Sequence, residues 1–413
     1  EAGKDVQIIR AVGKLEALEE KVSSMTIKGG LGLGHSRWAT HGGVTEENAH
    51  PHADCKKNIF VVHNGIIENY RSLKEELERR GHIFSSETDT EVLAHLIEQF
   101  FENSLEDTVR NALGVIRGTY GLAVIARQDP GKIVAARLSS PLVIAANGSG
   151  GYVASDPAAL ISHTKSMVFL EDGELAPITP EAFKVSDLSN VFKEKIPLEL
   201  GWSVEEAQKG GYEHFMLKEI MSQPESISNS LRGRLILEEG KAQLGGLESV
   251  KEKLRVIDRL IISGMGTAYL AAFVGEYMLE EYAGIPVEAE NAAEFRYRKP
   301  IITGSTAFLA ISQSGETADT LGALREPKEK GALTLGIVNA AGSSVARETD
   351  AGVYNHAGPE IGVASTKAFT SQVAVLALLT LYLGRQRGMS LVMGKRISEE
   401  LVRVPDLARR VLK

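Results

Sequence analysis

The chain has 413 residues, long enough for two or three domains of about 150 residues each. Its apolar fraction of 43% and charged fraction of 24% are ordinary for a soluble globular protein, and a net charge of -8 leaves no basic excess to displace the counterions of a nucleic acid. A single cysteine, Cys55, excludes an intrachain disulfide and suits a reducing cytosol.

Taken in order, residues 26–200 carry short β-type runs at 58–67, 119–127, 132–138, 141–146, 151–154 and 167–170. Turns such as Asn147-Gly148 and Asp172-Gly173 separate several of them. Helices are predicted at 69–80, 89–101 and 105–116. The second opens on Thr88-Asp-Thr-Glu91, which has the form of a capping box, and the third follows Ser104 with Asp107 three residues on. Strands in hairpin order with a few helices predict an α+β layered domain.

The pattern changes near residue 200. Residues 200–211 are polar and glycine-marked, and 212–222 form a connector leading into a helix. Beyond 225, strands at 260–263, 307–312, 333–338 and 352–354 alternate with helices at 269–282, 317–330 and 366–387. That rhythm predicts an α/β three-layer domain with a mostly parallel sheet, whose ligands sit at the carboxyl ends of its strands. The apolar run 373–383 is too short to span a bilayer and reads as a buried helix. Residues 397–412 read as a further amphipathic helix. No signal peptide opens the chain. It starts at Glu1 without an initiator methionine and stops at Lys413 inside an amphipathic pattern, so it is expected to be a piece of a longer protein.

Two stretches carry chemistry. Ala310-Ile-Ser-Gln-Ser-Gly-Glu-Thr-Ala-Asp-Thr320 ends a strand and opens a helix with Ser312, Ser314 and Thr317 at the turn. Unpaired N–H groups and the helix dipole at such a start favour an anion. No lysine completes a nucleotide P-loop, so a small phosphate monoester fits better than a triphosphate; an ordinary N-cap is the other reading. The second stretch is a cluster: His35-Ser-Arg-Trp-Ala-Thr-His-Gly42, His63-Asn-Gly65 and Ser86-Glu-Thr-Asp-Thr90. Arg37 and Asp89 could hold the carboxylate and ammonium of an amino acid, while Asn64 and the N–H of Gly65 could form an oxyanion hole. Surface turns and buried hydrogen-bonding histidines are the other reading here. His50-Pro-His52 with His41 and His63 reads as loop histidines, so no metal is expected. Cys55 reads as a polar turn residue without a role, and no cofactor is expected.

The same motifs resemble the glutamine–fructose-6-phosphate aminotransferase (isomerising) family. His35–Gly42, His63-Asn-Gly-Ile-Ile-Glu-Asn69 and Ser86-Glu-Thr-Asp-Thr-Glu91 look like its glutaminase domain. Glu294-Phe-Arg-Tyr-Arg298, Ser312–Thr320 and Glu360-Ile-Gly-Val-Ala-Ser-Thr-Lys-Ala-Phe369 look like its first sugar-isomerase (SIS) domain, and His214-Phe-Met-Leu-Lys-Glu-Ile220 like its connector. The resemblance covers nearly the whole chain, in the family's order. It implies an N-terminal-nucleophile hydrolase fold that releases ammonia from glutamine, then SIS domains that bind and open fructose 6-phosphate to give glucosamine 6-phosphate. Carried over, Arg37, Trp38, Thr40, His41 and Asp89 would bind glutamine, and Asn64 and Gly65 would form the oxyanion hole. Thr267, Ser312, Gln313, Ser314 and Thr317 would hold the sugar phosphate, with Val363 and Ser365 against the sugar. Trp38 is either core packing or a gate between the two sites.

The implied domains are a glutaminase domain over 1–204, a linker over 205–225, a first SIS domain over 226–388, and 389–413 leading toward a second SIS domain. The resemblance further implies a cytoplasmic homodimer paired through SIS domains, with no nucleic-acid or membrane partner. The family's nucleophilic cysteine is absent from this sequence, so the chain as given is expected not to hydrolyse glutamine. A sugar-phosphate sensor would need a basic DNA-binding module, which is lacking. An amidophosphoribosyltransferase would need an acidic pair where Ser312-Gln-Ser314 stands. A relative acting on another amino sugar stays open.

Overall fold

The computed structural model describes residues 6–27, 29–37, 41–102, 104–199 and 209–413. The chain divides into two compact units, Glu1–Glu199 and Leu200–Lys413.

The first unit opens with helix α1 (Leu15–Ser23), which the sequence pattern did not reveal. Strands β1 (His52–Ala53) and β2 (Ile59–Ile67) follow, then helices α2 (Tyr70–Arg79), α3 (Glu91–Phe100) and α4 (Leu105–Leu113). The remaining strands are β3 (Gly118–Ala126), β4 (Asp129–Leu138), β5 (Val143–Ala146), β6 (Gly151–Ala154), β7 (Ser166–Phe169), β8 (Glu174–Ile178), β9 (Ser186–Asp187) and β10 (Leu198–Glu199). Among the described residues they form an antiparallel sheet in the order β1-β2-β3-β4-β8-β9 and a second in the order β10-β7-β5-β6.

Period-two alternation explains the layering. Ile59, Val61, Leu122, Val124, Val134 and Ala136 face the apolar stripes of α3 (Val92, Leu93, Leu96, Ile97) and α4 (Leu105, Val109, Leu113). Ala135, Ala176 and Ile178 face the other way, onto Ile144, Val168 and Leu170 of the second sheet. The result is the expected α+β domain. Strand β8 escaped the sequence reading because its Glu174 and Pro177 interrupt the apolar pattern. The capping box expected at Thr88–Glu91 does not form. Thr90 is the N-cap of α3 and makes no side-chain cap bond, while Glu91 turns back to Ser85 and Ser86. The Ser104 cap of α4 does form, accepting the N–H of Asp107 at 3.2 Å.

The second unit starts with α5 (Phe215–Met221), α6 (Gln223–Leu231), the short hairpin β11 (Leu235–Ile236) and β12 (Lys241–Ala242), and α7 (Lys251–Val256). The alternating part is β13 (Arg259–Gly264), α8 (Thr267–Ala283), β14 (Val287–Asn291), α9 (Ala292–Phe295), β15 (Thr306–Ser312), α10 (Ala318–Glu329), β16 (Leu333–Val338), α11 (Ser344–Glu348), β17 (Ala351–Tyr354) and α12 (Lys367–Gln386). Helix α13 (Leu391–Val411) closes the chain and starts earlier than expected, because Ser390 caps it by accepting the N–H of Met393.

All pairings in this sheet are parallel, in the order β14-β13-β15-β16-β17. Leu260, Ile262, Leu309 and Ile311 pack on α8 and α12 through Ala271, Leu279, Val375 and Leu379. Ile261, Phe308 and Ala310 pack on the opposite layer through Phe295, Leu321, Leu324 and Val345. Strand β14, Val-Glu-Ala-Glu-Asn, lies at the sheet edge, and its alternating glutamates hid it from the sequence reading. Helix α12 is long and apolar enough to cross a membrane by length and composition alone, yet 83% of its most apolar window is buried inside the unit.

The ring of Phe308 is fully buried, 5.3 Å from that of Phe295. Phe308→Ala should therefore cost about 3–5 kcal/mol, read as a lowered urea midpoint by circular dichroism. A loss below about 1 kcal/mol would mean that this layer collapses around the gap.

Candidate functional site

The winding of the second unit reverses between β13 and β15. After β13 the chain goes to β14 on one side, then returns to lay β15 on the other. Such a switch point opens a crevice at the strand ends. Here it is a cavity of about 380 Å³ lined by Thr267, Ala268, Ser312, Gln313, Ser314, Thr317, Val363, Ser365 and Gln372, among others. All seven residues expected at a sugar phosphate thus meet around one space.

Among the described residues, none lining the cavity is charged. Instead, three helices begin at the cavity wall: α8 at Thr267, α10 after Thr317 and α12 after Thr366. Each aligned dipole contributes roughly half a positive charge at its start. An anion bound there meets unpaired N–H groups and hydroxyls at once. The Ser312 hydroxyl accepts the N–H of Gly315 at 2.9 Å and lies 3.1 Å from the Thr317 hydroxyl. The Ser314 hydroxyl accepts the N–H of Glu316 at 3.1 Å, which folds the loop back on itself.

Carboxylates, two of them buried, fix this wall. Glu316 accepts the N–H and hydroxyl of Ser344, both at 2.8 Å. Glu360 accepts the N–H groups of Thr366 and Ala368 and the hydroxyl of Ser365, holding the start of α12. Glu219 of α5 accepts the N–H groups of Ile361 and Gly362 at 2.6 and 3.0 Å. Gly315 has φ +67°, and a Cβ there would come 2.0 Å from the Ser343 hydroxyl, so the turn admits only glycine. Sequence reading missed Gln372. Its amide is 1% exposed in α12, lines the cavity, and has an oxygen with no hydrogen-bond partner. A lone amide in an apolar helix was the available signal.

In the first unit, Arg37 donates to the carbonyl of Gly43 at 2.9 Å and to that of His41. Its fork is thus turned onto its own loop. Asp89 is 4% exposed; one oxygen accepts the N–H of Ile67 at 2.8 Å and the other lies 4.0 Å from Nδ1 of His41. His41 and Asp89 are therefore brought together, with Tyr70 edge-on to the imidazole at 5.2 Å. Trp38 and Thr40 lie outside the described residues.

Asn64 is exposed near the end of β2, beside Gly65. Gly65 has φ +148°, and a Cβ there would lie 2.1 Å from the carbonyl oxygen of Thr119. The close approach of β3 therefore requires glycine. Two further residues, unseen in the sequence, staple the loops: Asn48 donates to Glu87 and Gly43, both at 3.1 Å, and Glu87 accepts the N–H of Gly43 at 3.1 Å.

The histidines between these loops are structural. His63 donates from Nε2 to the carbonyl of Thr119 at 3.1 Å, leaving Nδ1 to accept from the Thr90 hydroxyl at 2.9 Å. The N–H of His63 donates to Nδ1 of His50 at 3.3 Å, and Nε2 of His52 lies 3.1 Å from the Thr88 hydroxyl. Burial lowers the basicity of all three, with His52 brought down to about 4. They are neutral hydrogen-bonding groups at pH 7.

Glu91 locks the strap that carries Asp89. It is 1% exposed and accepts the N–H and hydroxyl of both Ser85 and Ser86 at 2.6–2.7 Å. Burial alone would raise its pKa, but bonds from His95 and these two serines overcome this and hold it at about 2. A depressed carboxyl adds stability above its ordinary value of 4.5, and that stability drains away as pH falls toward 2. Glu91→Gln should flatten the fall of the melting temperature across this acid range, measured by scanning calorimetry. A curve as steep as that of the parent would show that the proton is taken up elsewhere.

Comparison with known proteins agrees with this division. A glutamine amidotransferase domain model matches residues 8–214, and a SIS domain model matches residues 253–382. The chain is 46% identical over 414 residues to a glutamine–fructose-6-phosphate aminotransferase [isomerizing] of Chlorobaculum tepidum, covering 98% of this chain and 67% of that protein. It is 47% identical over 408 residues to the Thermus thermophilus protein of the same name, with the same coverage. A solved C-terminal domain of glucosamine-fructose-6-phosphate aminotransferase from Francisella tularensis is 38% identical, with TM-score 0.46 over 48% of this chain and 56% of that one. The α+β glutaminase unit followed by a parallel-sheet SIS unit places this chain in the glutamine–fructose-6-phosphate aminotransferase (isomerising) family.

Proposed function

We propose that this chain serves the transfer of the amide nitrogen of glutamine to fructose 6-phosphate, with isomerisation, yielding glucosamine 6-phosphate and glutamate. The observation that carries the reading is the pairing of a glutaminase unit with a SIS unit whose switch-point cavity is ringed by hydroxyls and helix starts.

In this reading the first unit holds glutamine. Asp89, fixed by the N–H of Ile67, takes the ammonium group, and His41 stands beside it. Arg37 exchanges its loop carbonyls for the substrate carboxylate, and the family motif assigns Trp38 and Thr40 to glutamine as well. Asn64 and the N–H of Gly65 stabilise the oxyanion formed when the amide carbon is attacked. In the second unit, Thr267, Ser312, Gln313, Ser314 and Thr317 hold the phosphate, and Val363 and Ser365 face the sugar. Val363 is 94% exposed, so it offers its backbone rather than a packed side chain. We assign 1–204 to the glutaminase domain, 205–225 to the linker, 226–388 to the SIS domain and 389–413 to a segment leading onward. The single cysteine and ordinary charge balance favour a cytoplasmic location and no nucleic-acid partner.

Fructose 6-phosphate should bind and fructose should not, because charge-assisted hydrogen bonds dominate the affinity of a small polar ligand. Replacing Ser314 and Thr317 by alanine together removes roughly 1.5–3 kcal/mol each, or about a hundredfold or more in affinity by calorimetry. Arg37→Ala should leave this binding unchanged. Equal affinity for fructose and its phosphate would reduce the Ser312 turn to an N-cap.

Pairing of two copies through the SIS unit fits the outer face of α8. Leu270, Phe273, Val274 and Tyr277 are 53%, 39%, 38% and 73% exposed and recur at helical spacing. Tyr277→Glu should shift the sedimentation coefficient from dimer to monomer. An unchanged dimer would place the contact on another face.

A further inference from the structure

The only cysteine of the sequence is not an isolated thiol. Cys55 lies in the turn between β1 and β2, His82 in the connection after α2, and His95 and Glu98 one turn apart on α3. The Cys55 sulfur lies 3.4 Å from Nδ1 of His95 and 3.7 Å from Nδ1 of His82. Oε2 of Glu98 lies 3.1 Å from Nδ1 of His82 and 3.7 Å from Nδ1 of His95. All four atoms fall within 4.8 Å of one another. Tetrahedral zinc, with bonds of about 2.3 Å to sulfur and about 2.0–2.2 Å to nitrogen and oxygen, separates its ligand atoms by roughly 3.3–3.6 Å.

Proton accounting points the same way. Nε2 of His82 faces Oε1 of Gln99 at 3.2 Å, and Nε2 of His95 faces Oε1 of Glu91 at 3.7 Å. Both outer partners are acceptors, so each ring can carry its proton outward and turn its Nδ1 lone pair inward once a cation occupies the centre. Two imidazole nitrogens, a carboxylate oxygen and a sulfur then share one point, with the N–H of Ile83 reaching the sulfur at 3.4 Å and that of Cys55 reaching Oε2 of Glu98 at 3.3 Å from outside it. A divalent cation satisfies all four at once, and a thiolate with a carboxylate neutralises its charge. Sulfur and imidazole ligands select zinc over magnesium or calcium.

We propose that Cys55, His82, His95 and Glu98 form a structural zinc site. All four positions are protein ligands, so no coordination site is left for a substrate. The metal clamps the turn before β2 and the segment after α2 onto α3, whose preceding strap carries Asp89.

The test is cobalt(II) titration of the chelator-stripped whole protein under reductant. We expect about one cobalt per chain, with the visible bands of tetrahedral cobalt and a near-ultraviolet thiolate charge-transfer band. Cys55→Ser, at an exposed turn, should abolish the charge-transfer band, and His82→Gln should abolish stoichiometric uptake. His163→Ala, a histidine stacked on Tyr152, should change neither. Zinc should raise the melting temperature of the parent and leave that of Cys55→Ser unmoved. Absence of tetrahedral bands in the parent, or bands that survive both ligand changes, would overturn the proposal.

Discussion

The reversal of winding between β13 and β15 is the constraint on which the second unit's chemistry rests. A parallel sheet points every strand end, and every following helix start, to the same edge. Only where adjacent crossovers depart to opposite faces does that edge open. Here α8 leaves toward one layer and α10 toward the other. The gap exposes two helix starts, and the loop before α12 brings a third. The cavity thus gains positive potential without a single lysine or arginine in its lining.

Loops that end helices and strands are costly to order, and in both units buried or half-buried carboxylates do the ordering. Glu316, Glu360 and Glu219 each accept backbone N–H groups of a segment bordering the cavity. Glu91 does the same for Ser85 and Ser86, and Asp54 for Asn58 and Ile59. A carboxylate with several N–H donors is a strong, charge-assisted anchor, and its cost on losing one partner is large. The order of the loops bordering the cavity is therefore built into the acidic residues rather than into the hydroxyls that line it.

Within the first unit the two residues proposed to hold glutamine are fixed differently. Asp89 is fixed from below by Ile67 and by the Glu91 clamp, whereas Arg37 rests on carbonyls of its own loop. If the proposed reading holds, the aspartate is in place before glutamine arrives and the arginine has to turn. Glu91 also faces His95, so the strap and the Cys55 cluster share one buried carboxylate.

Composition and period-two runs were enough to read an α+β unit followed by a parallel-sheet unit and to single out Ser312, Ser314 and Thr317, while only the family resemblance grouped these with Thr267, Gln313, Val363 and Ser365. Those features are local: a strand that ends in small and hydroxyl residues before a helix specifies an anion-binding turn by its own backbone chemistry. The sequence could not reveal β14, whose glutamates mask it, and hence not the switch point, which depends on where that strand docks. Nor could it show that Thr88–Glu91 forsakes a capping box, since four donors from Ser85 and Ser86 outcompete one local N–H. Gln372 entering the cavity and Cys55 meeting His82, His95 and Glu98 depend on contacts between segments apart in the chain. Only packing of the helices onto the sheets decides such contacts.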